Sequence, residues 1–184
     1  MHPWHDIETF TDDERSTFHA VIEVPKHGRV KYELHKPTGM IQVDRILFSS
    51  VVYPQNYGFV PKTYCDDHDP LDVLVLSTEP FVPLSLVRAR AIGVLRLEDE
   101  EERDDKLIAI HADDPTYRDI RDMSELPQHI FRQIGRFFAE YKGLEEKEVI
   151  VEDTLGASSA AAALEAAVAL YREHETALRA GESP

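Results

Sequence analysis

Cysteine is the scarcest chemistry in this chain. Cys65 stands alone among 184 residues, which excludes an intramolecular disulfide and a multi-cysteine zinc site and fits a reducing, cytoplasmic setting. Long apolar runs are also missing: the longest falls far short of the roughly 18 to 20 residues that cross a bilayer. The opening Met1-His2-Pro3-Trp4-His5-Asp6 has neither the basic nor the apolar region of a signal peptide, so no membrane segment is expected. Positive charge is in short supply, with 20 Lys and Arg against 35 Asp and Glu, and the resulting −15 repels phosphate backbones and anionic lipid. General nucleic-acid or membrane binding is disfavoured on that ground. Absent as well are G-x-G-x-x-G, G-x-x-x-x-G-K-[ST] and G-x-S-x-G, while His174-Glu175-Thr176-Ala177-Leu178 lacks the second histidine of a zinc-protease helix. Asp67-His68-Asp69-Pro70-Leu71-Asp72 has no glycine at the sixth position and Thr78 where a twelfth-position Glu belongs, which excludes an EF-hand.

What is present is an ordinary globular composition, 42% apolar and 30% charged, in a length that suits one domain with a sizeable core. A single domain over residues 1–184 is expected, its core spanning about 18–175 between frayed ends. The acids are clustered. Seven of the eight residues from Glu98 to Asp105 are acidic, Arg103 being the exception, and Asp66, Asp67, Asp69 and Asp72 form a second knot. Such runs are usually solvated faces, but both knots abut strand-like apolar segments instead of standing in a polar tail.

β-branched and aromatic residues mark strands over 18–24, 29–35 and 41–48, separated by turn chemistry at Pro25 to Gly28 and at Pro37-Thr38-Gly39. Further strands are expected at Val73 to Leu76, Leu86 to Leu97, Leu107 to Ile110 and Val149 to Val151. Ser124 is the expected cap of a helix to Lys142 that aligns Ile130, Phe131, Ile134, Phe137, Phe138 and Tyr141 and stops at Gly143. An alanine-rich helix over 158–179 is expected to start at a Ser158-Ser159 cap. Strands joined by turns, with helices only at the end, predict a closed or nearly closed antiparallel sheet, an α+β and mainly β fold with helices packed outside.

Carboxylates without a cysteine or histidine cluster suit hard cations such as Mg²⁺, which takes one or two protein carboxylates and leaves its other positions to water or phosphate. Lys31, Arg45, Lys106 and Lys142, with Tyr53, Tyr57 and Tyr141, supply the donors that grip phosphoryl oxygens. A lone Lys is ordinarily a surface charge and a lone Tyr a core residue. Their placement at strand ends beside acidic loops favours a site.

In order along the chain stand Val21-Ile22-Glu23-Val24-Pro25, Lys31-Tyr32-Glu33, Val43-Asp44-Arg45, Tyr53-Pro54-Gln55-Asn56-Tyr57-Gly58, Asp67-His68-Asp69-Pro70-Leu71-Asp72-Val73-Leu74, Asp104-Asp105-Lys106 and Phe137-Phe138-Ala139-Glu140-Tyr141-Lys142. This series resembles the soluble inorganic pyrophosphatases of the first family over roughly residues 18 to 175, and D-x-D-P-x-D after Y-P-x-N-Y-G is a specific combination. The resemblance implies an OB-like five-stranded antiparallel barrel with flanking C-terminal helices. It implies Mg²⁺-dependent hydrolysis of pyrophosphate to two phosphates by a metal-bridged hydroxide, with no covalent intermediate, several Mg²⁺ per site and Mn²⁺ or another divalent ion as a substitute. Carried over by position, metal ligands fall on Asp67, Asp72, Asp99, Asp104 and Glu33, and further site acids on Glu23 and Glu100. The catalytic base falls on Asp69 with Tyr53 near it, and substrate grips on Lys31, Arg45, Tyr57, Lys106, Tyr141 and Lys142.

Two departures stand out. His68 occupies a position where glycine is common in the family, which matters if the backbone there needs positive φ, and Gly143 follows Tyr141-Lys142 where Asp is common. Two alternatives stay open: a catalytically weak member acting as a divalent-metal binder, and an OB-type module for single-stranded nucleic acid, which −15 disfavours. The resemblance also implies a homohexamer, although Arg136 and Glu140 stand where interface histidines are common.

Overall fold

The structure, a computed structural model, describes residues 1–99, 102–145, 147 and 149–182. Its strands are β1 (Phe18–Val24), β2 (Val30–His35), β3 (Met40–Ile46), β4 (Asn56–Phe59), β5 (Asp72–Leu76), β6 (Leu86–Asp99), β7 (Glu102–Arg103), β8 (Lys106–His111) and β9 (Val149–Gly156), with helices α1 (Gln128–Glu140) and α2 (Ala157–Arg179). Five strands close a ring in the order β1-β4-β5-β8-β6, with β6 returning to β1. The β2–β3 hairpin forms a separate two-stranded sheet, and β9 pairs with β6.

The all-antiparallel expectation is corrected at one seam, since β5 and β8 run parallel. The reason is arithmetic: a closed ring with an odd number of strands cannot alternate direction at every seam. The consequence is chemical. Parallel register sets Asp72 beside Lys106, so both strands begin at the same end of the ring.

β4 was expected only as a motif, because Pro54 and Gly58 flank and interrupt it. Gly58 turns out to be required: a Cβ there would lie 1.9 Å from the Val21 carbonyl oxygen, where β1 crosses close at a register shift.

Pro127 moves the start of the first helix. It has no N–H and disfavours the helical region for its predecessor, so Leu126 is extended and α1 begins at Gln128 instead of after Ser124. The residues before it form a short 3₁₀ turn, Met123–Glu125, capped by Asp122 and Glu125 in a reciprocal box. Asp122 also accepts from the Ala157 N–H at 2.8 Å, so α2 starts there and not at a Ser158-Ser159 cap. The N-terminal segment, expected to be frayed, is packed: Trp4 is 2% exposed and its indole N–H donates to the Thr63 carbonyl at 2.8 Å.

Candidate active site

A cleft of about 490 Å³ opens at the end of the ring where β5 and β8 begin. Of the residues singled out from the sequence, Glu23, Lys31, Glu33, Tyr53, Tyr57, Asp67, Asp69, Asp72, Asp99, Asp104, Lys106, Tyr141 and Lys142 line it. Glu100 lies outside the described residues. Arg45 stands beside the cleft without lining it: its Nε donates to Glu145 at 3.0 Å and it pairs with Asp44.

The centre of the cleft is Lys106. Its Nζ lies 2.6 Å from Asp72 Oδ2 and 2.8 Å from both oxygens of Asp104, and the residue is 2% exposed. Burial opposes a charge on this amine, but Asp72 and Asp104 more than offset it and hold its pKa well above the usual lysine range. The Tyr57 hydroxyl donates to the same Asp72 oxygen, reached diagonally because Tyr57 pairs with Leu74, two residues further along β5. Burial still raises Asp72, with Lys106 pulling the other way and Asp104 adding to the rise.

At the far wall, Lys142 just past α1 pairs with Asp99 at the end of β6, leaving Asp99 Oδ1 buried without a partner. On the hairpin, Lys31 pairs with Glu33, two residues on along the same face, and lies 3.5 Å from Asp44. Asp44 therefore sits between Lys31 and Arg45, which are register partners. Arg45 Nη2 is buried and unpaired.

Crowded acids show the effect expected of like charges out of water. Burial first and Asp72 second push Glu23 up to about 8, although its Oε1 accepts from the Leu34 N–H at 2.7 Å. Burial, with Asp72, Asp104 and Asp69 adding, pushes Asp67 up to about 7. Among the described residues no three His, Cys, Asp or Glu side chains converge into a ready cage, and the cations between the acids are lysines.

The tyrosines form the apolar wall. Tyr53 packs against Phe137 at 4.6 Å and Tyr57 at 5.2 Å between ring centroids, and the charges acting on its phenol are Lys106, Asp72 and Arg45. Burial raises the pKa of Tyr53, Tyr57 and Tyr141, so all three are neutral donors at any physiological pH. Cys65 is half-buried with its thiol pushed well up by burial and the nearby aspartates, which makes it a poor nucleophile.

His68 does take positive φ, 65°, and closes the acidic loop with its N–H on the Cys65 carbonyl at 3.0 Å. Sequence reasoning missed Lys36, which lines the cleft with its Nζ 2.5 Å from Asp69 Oδ1. The available signal was its place in the turn that follows Lys31 and Glu33 on one strand. It also missed Glu145, whose pairing with Arg45 across 100 residues leaves no local trace.

The family model for inorganic pyrophosphatase matches residues 20–172. The chain belongs to that family. It is 55% identical over 173 residues to the soluble inorganic pyrophosphatase 2 of Chlamydomonas reinhardtii, covering 94% of this chain and 90% of that relative. Among solved structures, the inorganic pyrophosphatase of Thermus thermophilus superposes with a TM-score of 0.87 at 36% identity, covering 92% of this chain and 99% of that one. That of the pathogenic bacterium Helicobacter pylori gives 0.85 at 43% identity, covering 91% and 99%. The ring of five strands with C-terminal helices is thus the OB-like fold of the pyrophosphatase family, and its acid-lined cleft lies within the matched residues.

Proposed function

We propose that this chain hydrolyses inorganic pyrophosphate to two phosphates in a reaction that depends on Mg²⁺, with Mn²⁺ or another divalent ion as a substitute. The observation that carries the reading is Lys106, a buried ammonium shared by Asp72 and Asp104 inside a cleft lined by further carboxylates. Interleaved cations and acids of this kind suit a highly charged phosphoryl ligand that arrives with hard divalent ions.

The donors fit such ions. All are carboxylate oxygens, Mg²⁺ needs only one or two of them, and Asp99 Oδ1 is buried with no partner of its own. Asp67, Asp72, Asp99, Asp104 and Glu33 would hold several ions, with Glu23 and Glu100 as further acids. Bound there, divalent cations supply Lewis acidity that makes water a better nucleophile and spreads phosphoryl charge.

The chain's own groups do the rest. Asp69 accepts the proton of the attacking water, as a carboxylate on the open side of the cleft can. Lys31, Lys106 and Lys142, with the guanidinium of Arg45 beside the cleft, offset charge on the phosphoryl oxygens, and Tyr57 and Tyr141 donate to them. Tyr53 supports this wall from behind. No side chain is needed as a nucleophile.

Phosphate release from pyrophosphate by purified protein tests the reading. Two phosphates per pyrophosphate are expected with Mg²⁺ and none with a chelator; no release at any Mg²⁺ concentration near neutral pH refutes it. Self-association, as a homohexamer first, belongs to the same proposal and is supported by exposed apolar side chains at Val82, Leu84 and Leu86 and at Met40, Val43, Ile46 and Phe48. A light-scattering mass near 21.0 kDa across the micromolar range would refute that part.

A further inference from the structure

We propose that Lys36 is a positioning residue for Asp69, acting through the acidic loop and not on the substrate. The inference rests on the reading of Asp69 as proton acceptor. Asp69 sits on the loop between β4 and β5 with its side chain 53% exposed, and an exposed carboxylate on a loop has no packing to fix its rotamer. A group that must meet a proton within hydrogen-bond reach needs something else to hold it.

Lys36 supplies two bonds to that loop. Its Nζ lies 2.5 Å from Asp69 Oδ1 and donates to the His68 carbonyl at 3.0 Å. The second bond fastens His68, whose φ of 65° is an unusual conformation for a residue with a side chain and lies next to Asp69. The first engages one carboxylate oxygen and leaves Oδ2 for the proton.

Lys36 is itself held from behind. It lies in the turn between β2 and β3, where the His2 Nε2 meets the Lys36 carbonyl at 2.7 Å. Gly39, at φ 69°, gives the room there, since a Cβ would fall 2.8 Å from Pro3 and 3.1 Å from His2. The same N-terminal stretch is anchored by Trp4 on Thr63 and by the Lys62 N–H on the Trp4 carbonyl at 2.8 Å, next to the start of the acidic loop. One strap therefore fixes both sides of the Lys36–Asp69 contact.

Exposure separates this role from a stabilising one. With side chains 44% and 53% exposed, the ion pair contributes little to folding. Its loss is read in turnover.

The test is a cycle of wild type, Lys36→Ala, Asp69→Asn and the double variant, each assayed for kcat and KM with Mg²⁺-pyrophosphate and for thermal midpoint. Lys36→Ala is expected to lower kcat by about 10-fold with KM within about 2-fold, the scale of a displaced catalytic group. Lys36→Arg, which keeps the cation, should restore part of the loss. In the Asp69→Asn background, removing Lys36 should change kcat by less than about 2-fold, because the group it positions is gone. An equal loss in both backgrounds, an unchanged kcat, or a raised KM with kcat intact overturns the proposal while leaving the pyrophosphatase reading in place. A wild type that releases no phosphate overturns that reading and this one with it.

Discussion

Two of the three apolar cores fed by the strands of the ring differ in character. On β5, Leu74 and Leu76 point to one and Val73 and Val75 to the other; on β8, Ile108 and Ile110 part from Leu107 and Ala109 in the same way, as the two-residue period of a strand requires. The first core joins α1 and is rich in rings, with Tyr53, Tyr57, Phe131, Phe137, Phe138 and Tyr141. The second joins α2 and is mainly aliphatic, with Ala20, Ala89, Ala109, Ala160 and Leu164 among its members beside Phe18. Of these two only the first borders the cleft, and there the rings wall a buried ammonium, with Lys106 Nζ 5.7 Å from the Tyr57 centroid and 5.5 Å from that of Phe138. Burying charge costs stability that the aliphatic core has to offset. One side of the sheet holds the fold so that the other can hold charge out of water.

The largest effect should come from breaking the charged side. Asp69→Asn is expected to lower kcat by about 10² to 10⁴-fold, the range for removing a general base, with the Mg²⁺ dependence of the residual rate little changed. Asp72→Asn should lower the rate by a similar factor and also weaken the Mg²⁺ response, because Asp72 touches both Lys106 and Tyr57 at the centre of the acids. Activity measured across a Mg²⁺ series separates the two, and equal loss of Mg²⁺ response would show the division between them to be wrong.

The aliphatic side should break in the opposite sense. Leu164, on α2 and 4% exposed, packs into the second core, and Leu164→Ala is expected to cost about 2 to 5 kcal/mol of stability. Turnover per folded molecule should stay within about 2-fold, since none of the residues lining the cleft belongs to that core. Denaturant unfolding together with kcat checks both halves of the statement; a large loss of kcat in the folded variant would mean the two cores are not separable.

How much of this was legible follows the same division. Helical and strand periodicity made most of the strands and both helices visible, because apolar side chains repeat locally. Boundaries shifted where backbone chemistry decided them, as at Pro127 and Asp122. The cleft residues came from motif resemblance, since charges that meet only in space leave no periodic signal. Arg45 shows the limit: its place on β3 beside Lys31 was inferable, its turn toward Glu145 was not, because that partner lies in a 3₁₀ turn after α1. The parallel seam was concealed by local turn chemistry, which says how neighbouring strands connect and nothing of how a five-membered ring closes.

A smaller effect is expected from acid. His5, beneath the N-terminal strap against Tyr171 at 2.8 Å, has its pKa lowered from 6.5 to about 4, first by burial and then by the charges of His2 and Arg179, with Asp6 and Glu175 opposing. Between those values the unfolded chain takes up a proton that the folded chain refuses. Its contribution is thus complete above pH 6.5 and lost as pH falls toward 4, by about 1 to 2 kcal/mol once solvent screening is allowed for. Thermal midpoints measured from pH 7 to pH 4 should fall, and His5→Gln should flatten the curve in that window. An unchanged slope in the variant would place the acid sensitivity elsewhere.

The smallest effect comes from an exposed ion pair, set against a buried one near the same helix. At one end of α1, Lys142 and Asp99 pair with side chains 13% and 15% exposed; on its outer face, Arg136 and Glu140 pair at 2.5 Å with side chains 74% and 41% exposed. The outer pair is an i, i+4 contact in water, for which about 0.3 to 0.5 kcal/mol is the usual scale. Arg136→Ala should therefore shift the thermal midpoint by a degree or so and leave kcat unchanged, as befits a pair remote from the cleft. Lys142→Ala, which strips a partner from a buried carboxylate, should do far more to both. The outer pair carries a second reading through assembly: a fall in light-scattering mass on Arg136→Ala would mean that the arginine also bridges a contact between copies, and its small cost in the isolated helix would then understate its role.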